Sequence, residues 1–219
     1  MLKLKLNRYA FILILLGFLT LTCGKSGAQS ARVEITPFGG YLLGGSVKFY
    51  EGKFKIENAA SYGGMLAVKA ARGNFVELSY TRMDSKGYWE PYYNYVIDLP
   101  ADTFDIAMNY LQINSLNEFN LDNESIKPYG TAGMGASWIH PKEGDAEDEW
   151  MFTFNAALGL KYFFSDRIGI RLQARMILPM IFNGGGFYFG YGSGGAYVSS
   201  TTTMVQGDFT GGLIVVLGN

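Results

Sequence analysis

The chain has 219 residues, with 18 basic and 19 acidic side chains, one Cys and one His. That length suits one domain better than two; the near-neutral balance leaves no basic stripe for nucleic acid, and a single Cys excludes a disulfide framework. With 29 Gly and 16% aromatic residues, the composition favours strands and turns over helices.

The N-terminus carries Lys3, Lys5 and Arg8, then an apolar run from Tyr9 to Leu19, then small residues ending in Ser26-Gly27-Ala28. This is the layout of an export signal cleaved after Ala28, and the apolar run is shorter than the ~20 residues a membrane helix requires. Cys23 allows a second reading as a lipidated N-terminus, which Thr20-Leu21-Thr22 fits poorly. Residues 1–28 contain four basic residues and no acid, so the remainder, 29–219, has 14 basic and 19 acidic residues, is mildly acidic and lacks Cys.

Eight stretches then read as strands: 32–43, 60–72, 74–83, 103–115, 127–138, 150–164, 167–178 and 204–217. In the third, Val76, Leu78 and Tyr80 alternate with Glu77, Ser79 and Thr81, the period of two that a pleated strand imposes. The fourth carries Phe104, Ile106, Met108 and Tyr110 on one face before its phase slips at Leu111, which reads as a bulge or strand end. The sixth sets Phe152, Phe154, Ala156, Leu158, Leu160, Tyr162 and Phe164 against Thr153, Asn155, Ala157, Gly159 and Lys161. The seventh sets Ile168, Ile170, Leu172, Ala174 and Met176 against Gly169, Arg171, Gln173 and Arg175.

Polar faces made of small and amide side chains, with isolated charges, suit a narrow shared interior rather than a watery exterior. The apolar faces then meet lipid, and closure of the sheet satisfies every backbone group. The expected fold is therefore an all-β, eight-stranded antiparallel up-and-down transmembrane barrel over 29–219. Short turns at Arg72-Gly73-Asn74 and Ser165-Asp166-Arg167 alternate with long segments at 44–59, 84–102, 139–149 and 179–203, the periplasmic and external connections of such a barrel. The 116–126 connection is longer than an ideal turn. An even strand count leaves both ends of the barrel chain on the periplasmic side. Trp89, Trp138 and Trp150 fall at external strand ends, and Phe75, Tyr129, Tyr162 and Phe164 at periplasmic ends, as interfacial belts do.

Ile35-Thr-Pro-Phe-Gly-Gly-Tyr41, Asn109-Tyr-Leu-Gln-Ile113 and Lys127-Pro-Tyr-Gly-Thr-Ala-Gly-Met-Gly135 resemble segments of the small OmpA/OmpX-like outer membrane β-barrel domain proteins, and the resemblance covers nearly all of 29–219. It implies an outer membrane location, handling by the barrel assembly machinery, and no particular activity. The terminal Val215-Val-Leu-Gly-Asn219 departs from the terminal aromatic residue common in such barrels, and no peptidoglycan-binding domain follows.

Glu34, Lys69, Glu77, Asp105, Lys161, Arg171, Arg175 and Asp208 are expected inside the barrel, paired with one another in a packed core or lining a gated ion path. His140, in an external segment, could serve a lipid-modifying enzyme with Ser137 and Asp145, although no pattern specifically supports this. The acidic run Glu143 to Glu149 matches no ordered calcium loop. The run Asn183 to Gly195 lacks the Gly-Lys-Ser/Thr ending of a phosphate cradle and reads as a glycine-rich external loop with aromatic contact residues Phe187, Tyr188, Phe189 and Tyr191. No cofactor, metal or catalytic residue is expected. Membrane lipids and a surface ligand reached through loops 84–102 and 179–203 are the expected partners of a monomer. A soluble periplasmic barrel with a hydrophobic cargo is the remaining alternative.

Overall fold

The computed structural model describes residues 32–48, 52–91, 103–119, 121, 125–142, 148–190, 193–202 and 204–218. The export segment with Cys23 lies outside these residues, as do 92–102 and 143–147, Asp145 included.

Eight antiparallel strands form a closed ring: β1 (Val33–Leu43), β4 (Ala59–Ala71), β5 (Asn74–Pro91), β6 (Thr103–Glu118), β7 (Ile126–Pro141), β8 (Glu149–Phe163), β9 (Ile168–Gly190) and β11 (Gln206–Leu217). Each pairs with its neighbours in the chain, and β11 returns to β1 with Val33 opposite Leu217, so no edge of the ring is left unpaired. Three shorter strands extend it: the β2 (Ser46–Lys48) and β3 (Gly52–Ile56) hairpin docks on β5, and β10 (Ser193–Thr202) folds back along β9. All eight expected ring strands are present.

The ring is staggered. Following paired residues once round from Val33, through Val76 on β5 and Ala156 on β8, returns to β1 at Leu43, ten residues further along. With eight strands, that shear implies a tilt of about 40° and a lumen that side chains can fill.

Alternation decides which side each residue takes. On β8, Phe154, Leu158, Leu160 and Tyr162 face out and are exposed, Leu158 by 69%, whereas Thr153, Asn155, Ala157 and Lys161 are buried inside. Ile168, Ile170, Leu172 and Met176 on β9 and Leu213, Val215 and Leu217 on β11 continue the exposed apolar surface. From Trp150 to Tyr162 this belt is roughly 30 Å tall at ~3.3 Å per residue and ~40° tilt, close to the thickness of a bilayer's hydrocarbon.

The tight turns are where the spacing puts them. Gly73 adopts φ +78°, a conformation that a side chain would strain, and closes β4 onto β5. Ser165 Oγ accepts the backbone N–H groups of Arg167 and Ile168 and shapes the β8–β9 turn.

Four expectations require correction. Strand β6 has no bulge: its register with β5 and β7 is continuous through Leu111 to Glu118. The apparent slip marks a change in which face is apolar, because Ile106, Met108 and Tyr110 point inward and are fully buried. Phe75 and Tyr129 also point inward instead of joining a periplasmic belt, whereas Tyr162 and Phe164 remain outside. Finally, much of the four long segments is strand: β2 and β3 lie within 44–59, the ends of β5 and β7 within 84–102 and 139–149, and the end of β9 with β10 within 179–203. Neighbouring backbone supplies hydrogen bonds above the belt as well as within it, so the ladders continue.

Leu158→Arg should lower the unfolding free energy of the liposome-inserted protein by about 2–4 kcal/mol, the cost of a cation on the lipid face near the midplane. Equilibrium urea unfolding measures this, and an unchanged midpoint would mean that the belt does not face hydrocarbon.

Candidate functional site

The lumen is built in layers, because successive inward residues of each strand come to successive heights. Nearest the turn end, Lys161 Nζ donates to Glu34 Oε2 and Glu118 Oε1, both at 2.7 Å, and sits 4.5 Å from the centre of the Phe75 ring. Arg32 joins Glu34 at 3.1 Å. Above them, Arg171 pairs with Glu77 and donates from Nε to the Tyr129 hydroxyl at 2.6 Å, while Asn114 donates to Glu77 and Ser79 at 3.2 Å. In the next layer Arg175 pairs with Asp208 and also reaches Gln112 Oε1 at 3.0 Å and Thr81 Oγ1 at 2.9 Å; Ser61 donates to Asp208. Tyr110 then donates to Gln206 Oε1 at 2.7 Å.

The external end of the lumen is apolar. Leu42, Ile56, Met83, Ile106, Met108, Ile177 and Met204 pack into one buried cluster with Tyr110. Ionised groups thus occupy the lower and middle layers and a hydrocarbon plug closes the top. Among the described residues, only Gln112 Nε2 and Asn155 Oδ1 are buried side-chain polar atoms without a hydrogen-bond partner, and neither is charged.

Six of the eight charges expected inside are there: Glu34, Glu77, Lys161, Arg171, Arg175 and Asp208. Lys69 is exposed at the rim, where β4 ends. Asp105 shares its strand face with Ala107 and Asn109, opposite the face that buries Ile106 and Met108, so it lies outside the lumen. Glu118 was missed because β6 continues three residues past the boundary that composition suggests. Its even-numbered spacing from Gln112 and Asn114 is the signal that would have found it.

The enzyme-like constellation does not assemble. His140 Nδ1 is hydrogen-bonded to Asp148 Oδ1 at 2.6 Å on the outside, with 56% of its side chain exposed. Ser137 is fully buried on the lumen side, where its hydroxyl pairs with Thr153 Oγ1 at 2.7 Å. Residues three apart on a strand take opposite faces, so the pair cannot act as nucleophile and base. No group of three or more potential metal ligands occurs among the described residues. Of the acidic run, 143–147 lies outside them. The backbone of 183–190 and 193–195 is a paired hairpin, Gly190 opposite Ser193, and not a loop free of secondary structure.

Two features lie outside the packed lumen. A half-open cavity of about 670 Å³ lies at the turn end, lined by Arg32, Arg72, Lys127, Phe119, Phe163 and Asp166 among others. The second lies outside the wall, where β5 leaves the apolar belt. Trp138 stacks on Trp150 at 4.7 Å with Tyr80 tilted against it at 6.3 Å, and the Tyr80 hydroxyl donates to Asn109 at 2.8 Å. Next to this ledge, Asp84 accepts from Arg82 at 3.0 Å, Tyr62 at 3.0 Å and Lys142 at 3.0 Å.

No family model and no curated protein matches this sequence. Among solved structures the chain is similar to Neisserial surface protein A, with a TM-score of 0.54 and 13% identity over 87% of this chain and 99% of that one. It is also similar to the outer membrane protein OprG of Pseudomonas aeruginosa, with a TM-score of 0.52 and 10% identity over 86% and 93%. The fold is that of the small OmpA/OmpX-like outer membrane barrels.

Two outcomes follow from the filled lumen. In planar bilayers the purified protein should show no steady open conductance, and reproducible single-channel steps would refute the plug. Arg171→Met should cost about 3–5 kcal/mol in equilibrium unfolding by stranding Glu77, while adding Glu77→Leu should recover most of that loss.

Proposed function

We propose that this chain is a non-enzymatic outer membrane protein that spans the bilayer as a barrel and acts through what it presents outside. The observation that carries the reading is the division of the molecule into an exposed apolar belt, a lumen filled by paired charges under an apolar plug, and hairpins that rise past the belt. Such a wall transmits nothing by itself, so its surfaces and its mechanical presence in the membrane are what remain to act. The export pattern ending at Ala28, and the two barrel ends lying together on the side of the tight turns, support delivery by the outer membrane route. Membrane lipids and the barrel assembly machinery are the partners that this route implies.

The external hairpin formed by β9 and β10 is the best candidate for contact with a surface ligand. Its arms remain paired from Met180 opposite Thr202 to Gly190 opposite Ser193, which holds a glycine- and aromatic-rich tip clear of the belt. The longer arms of β5 and β6, which pair as far as Tyr88 opposite Thr103, present a second surface.

Deleting residues 183–195 should leave heat-modifiable gel migration of the membrane fraction unchanged and reduce binding of intact cells to host or abiotic surfaces at least several-fold. Unchanged binding across such a panel, with the barrel intact, would remove the hairpin from the proposal and leave membrane integrity as the role.

A further inference from the structure

Midway along the lumen two buried amides each have a polar end to spare, and the network around them fixes which end it is. Arg175 Nη1 donates to Gln112 Oε1 at 3.0 Å, and a guanidinium has no acceptor, so Gln112 must turn its oxygen to Arg175 and its Nε2 away. On the other arm, Asn114 donates its Nδ2 to Glu77 and Ser79, both at 3.2 Å, and its carbonyl accepts Asn155 Nδ2 at 2.9 Å. Asn155 Oδ1 is therefore left over. Flipping either amide would set donor against donor or oxygen against oxygen. Gln112 is 1% exposed and Asn155 5%, and their spare atoms are one donor and one acceptor.

Between the strands that carry them, β7 supplies no side chain. Gly135 is paired with Gln112 on β6 and Thr153 on β8, and Gly133 with Asn114 and Asn155, so two successive lumen-facing positions of β7 are glycine. A Cβ at Gly133 would run into the carbonyl of Ile113, and one at Gly135 into that of Leu111, so neither position accepts a larger residue. The side chains missing there leave room on the order of one water, ~30 Å³. A third polar group is at hand. Ser137 and Thr153 share one hydroxyl hydrogen bond at 2.7 Å, which uses one of their two protons and leaves the other to donate. The ions nearby are already paired, Arg171 with Glu77 and Arg175 with Asp208, so nothing calls for a charged guest.

We propose that a single long-lived water is bound here, accepting from Gln112 Nε2 and from the Ser137–Thr153 pair and donating to Asn155 Oδ1. The spare groups require an acceptor and a donor in one small neutral molecule, and three hydrogen bonds are what a buried water usually makes. Bound in this way it joins the two charged layers. The path runs from Asp208 through Arg175 and Gln112, across the water, to Asn155, Asn114 and Glu77. The glycine pair of β7 is then the floor of a hydration site, and the paired ions of both layers belong to one hydrogen-bonded unit.

The test is nuclear magnetic resonance of the folded protein in nanodiscs, with Gln and Asn side-chain amides isotopically labelled. The Gln112 amide protons should cross-relax with water with the sign of a molecule that tumbles with the protein. A crystal structure that resolves waters should place one within about 3.2 Å of both Gln112 Nε2 and Asn155 Oδ1. Asn155→Gln extends the amide by a methylene into the same place, so it should cut the Gln112 cross-peak several-fold while the rest of the spectrum shows an intact barrel. A cross-peak that survives this substitution unchanged overturns the proposal, since it would come from the Ser137 or Thr153 hydroxyl exchanging with solvent. Direct bonding of Gln112 Nε2 to a protein group with no water between also overturns it. So does the absence of the cross-peak in wild type, a result that stands even if the variant fails to fold.

Discussion

Everything in this molecule follows from the need to pair each backbone N–H and C=O inside a solvent that offers no partner. A sheet meets that need only by closing on itself, and eight strands staggered by ten residues close it around a space just wide enough for side chains. Closure fixes the sense of every residue. Once Leu158 points to lipid, Asn155, Ala157 and Lys161 must point inward, whatever their chemistry.

The lumen then faces an electrostatic problem that it solves in two ways. In the lower and middle layers it admits charge but pairs it: Lys161 between two glutamates, Arg171 with Glu77, Arg175 with Asp208. A lone buried ion would cost several kcal/mol, so these pairs tie strands together across the lumen, β8 to β1 and β6 and β9 to β5, and between ladder neighbours, β9 to β11. At the external end the lumen excludes charge altogether, and methionine, leucine and isoleucine fill it. Their flexible or branched side chains pack without imposing the directional contacts that an ion needs. The charged layers tie strands to one another, and the plug fills the external end with hydrocarbon.

What the sequence made legible was whatever repeats with a period of two. The ring strands, the belt on β8 and β9, the two tight turns and six interior charges all follow from alternation plus turn chemistry. What it hid has one cause. Alternation reports that two faces differ, and the inference that the apolar one meets lipid fails wherever the lumen itself is apolar. Ile106, Met108 and Tyr110 look like belt residues on that basis and are plug residues in fact, and Phe75 and Tyr129 look interfacial and are internal. The error at Leu111 has the same origin, for the apolar face changes from inside to outside while the pairing continues unbroken. Strand ends were hidden for another reason. Glu118 and the arms beyond the belt are held by ladder hydrogen bonds, which carry no compositional signature once hydrocarbon no longer selects the side chains.

The pairing of Ser137 and His140 shows how the same constraint bears on chemistry. Three residues apart, they look like neighbours in sequence, yet a pleated wall one residue thick places one in a dry lumen and the other in water. Chemistry on such a scaffold has to be assembled across strands on a single face. The outer face does this with Tyr62 on β4, Arg82 and Asp84 on β5 and Lys142 just beyond β7, which meet at one carboxylate.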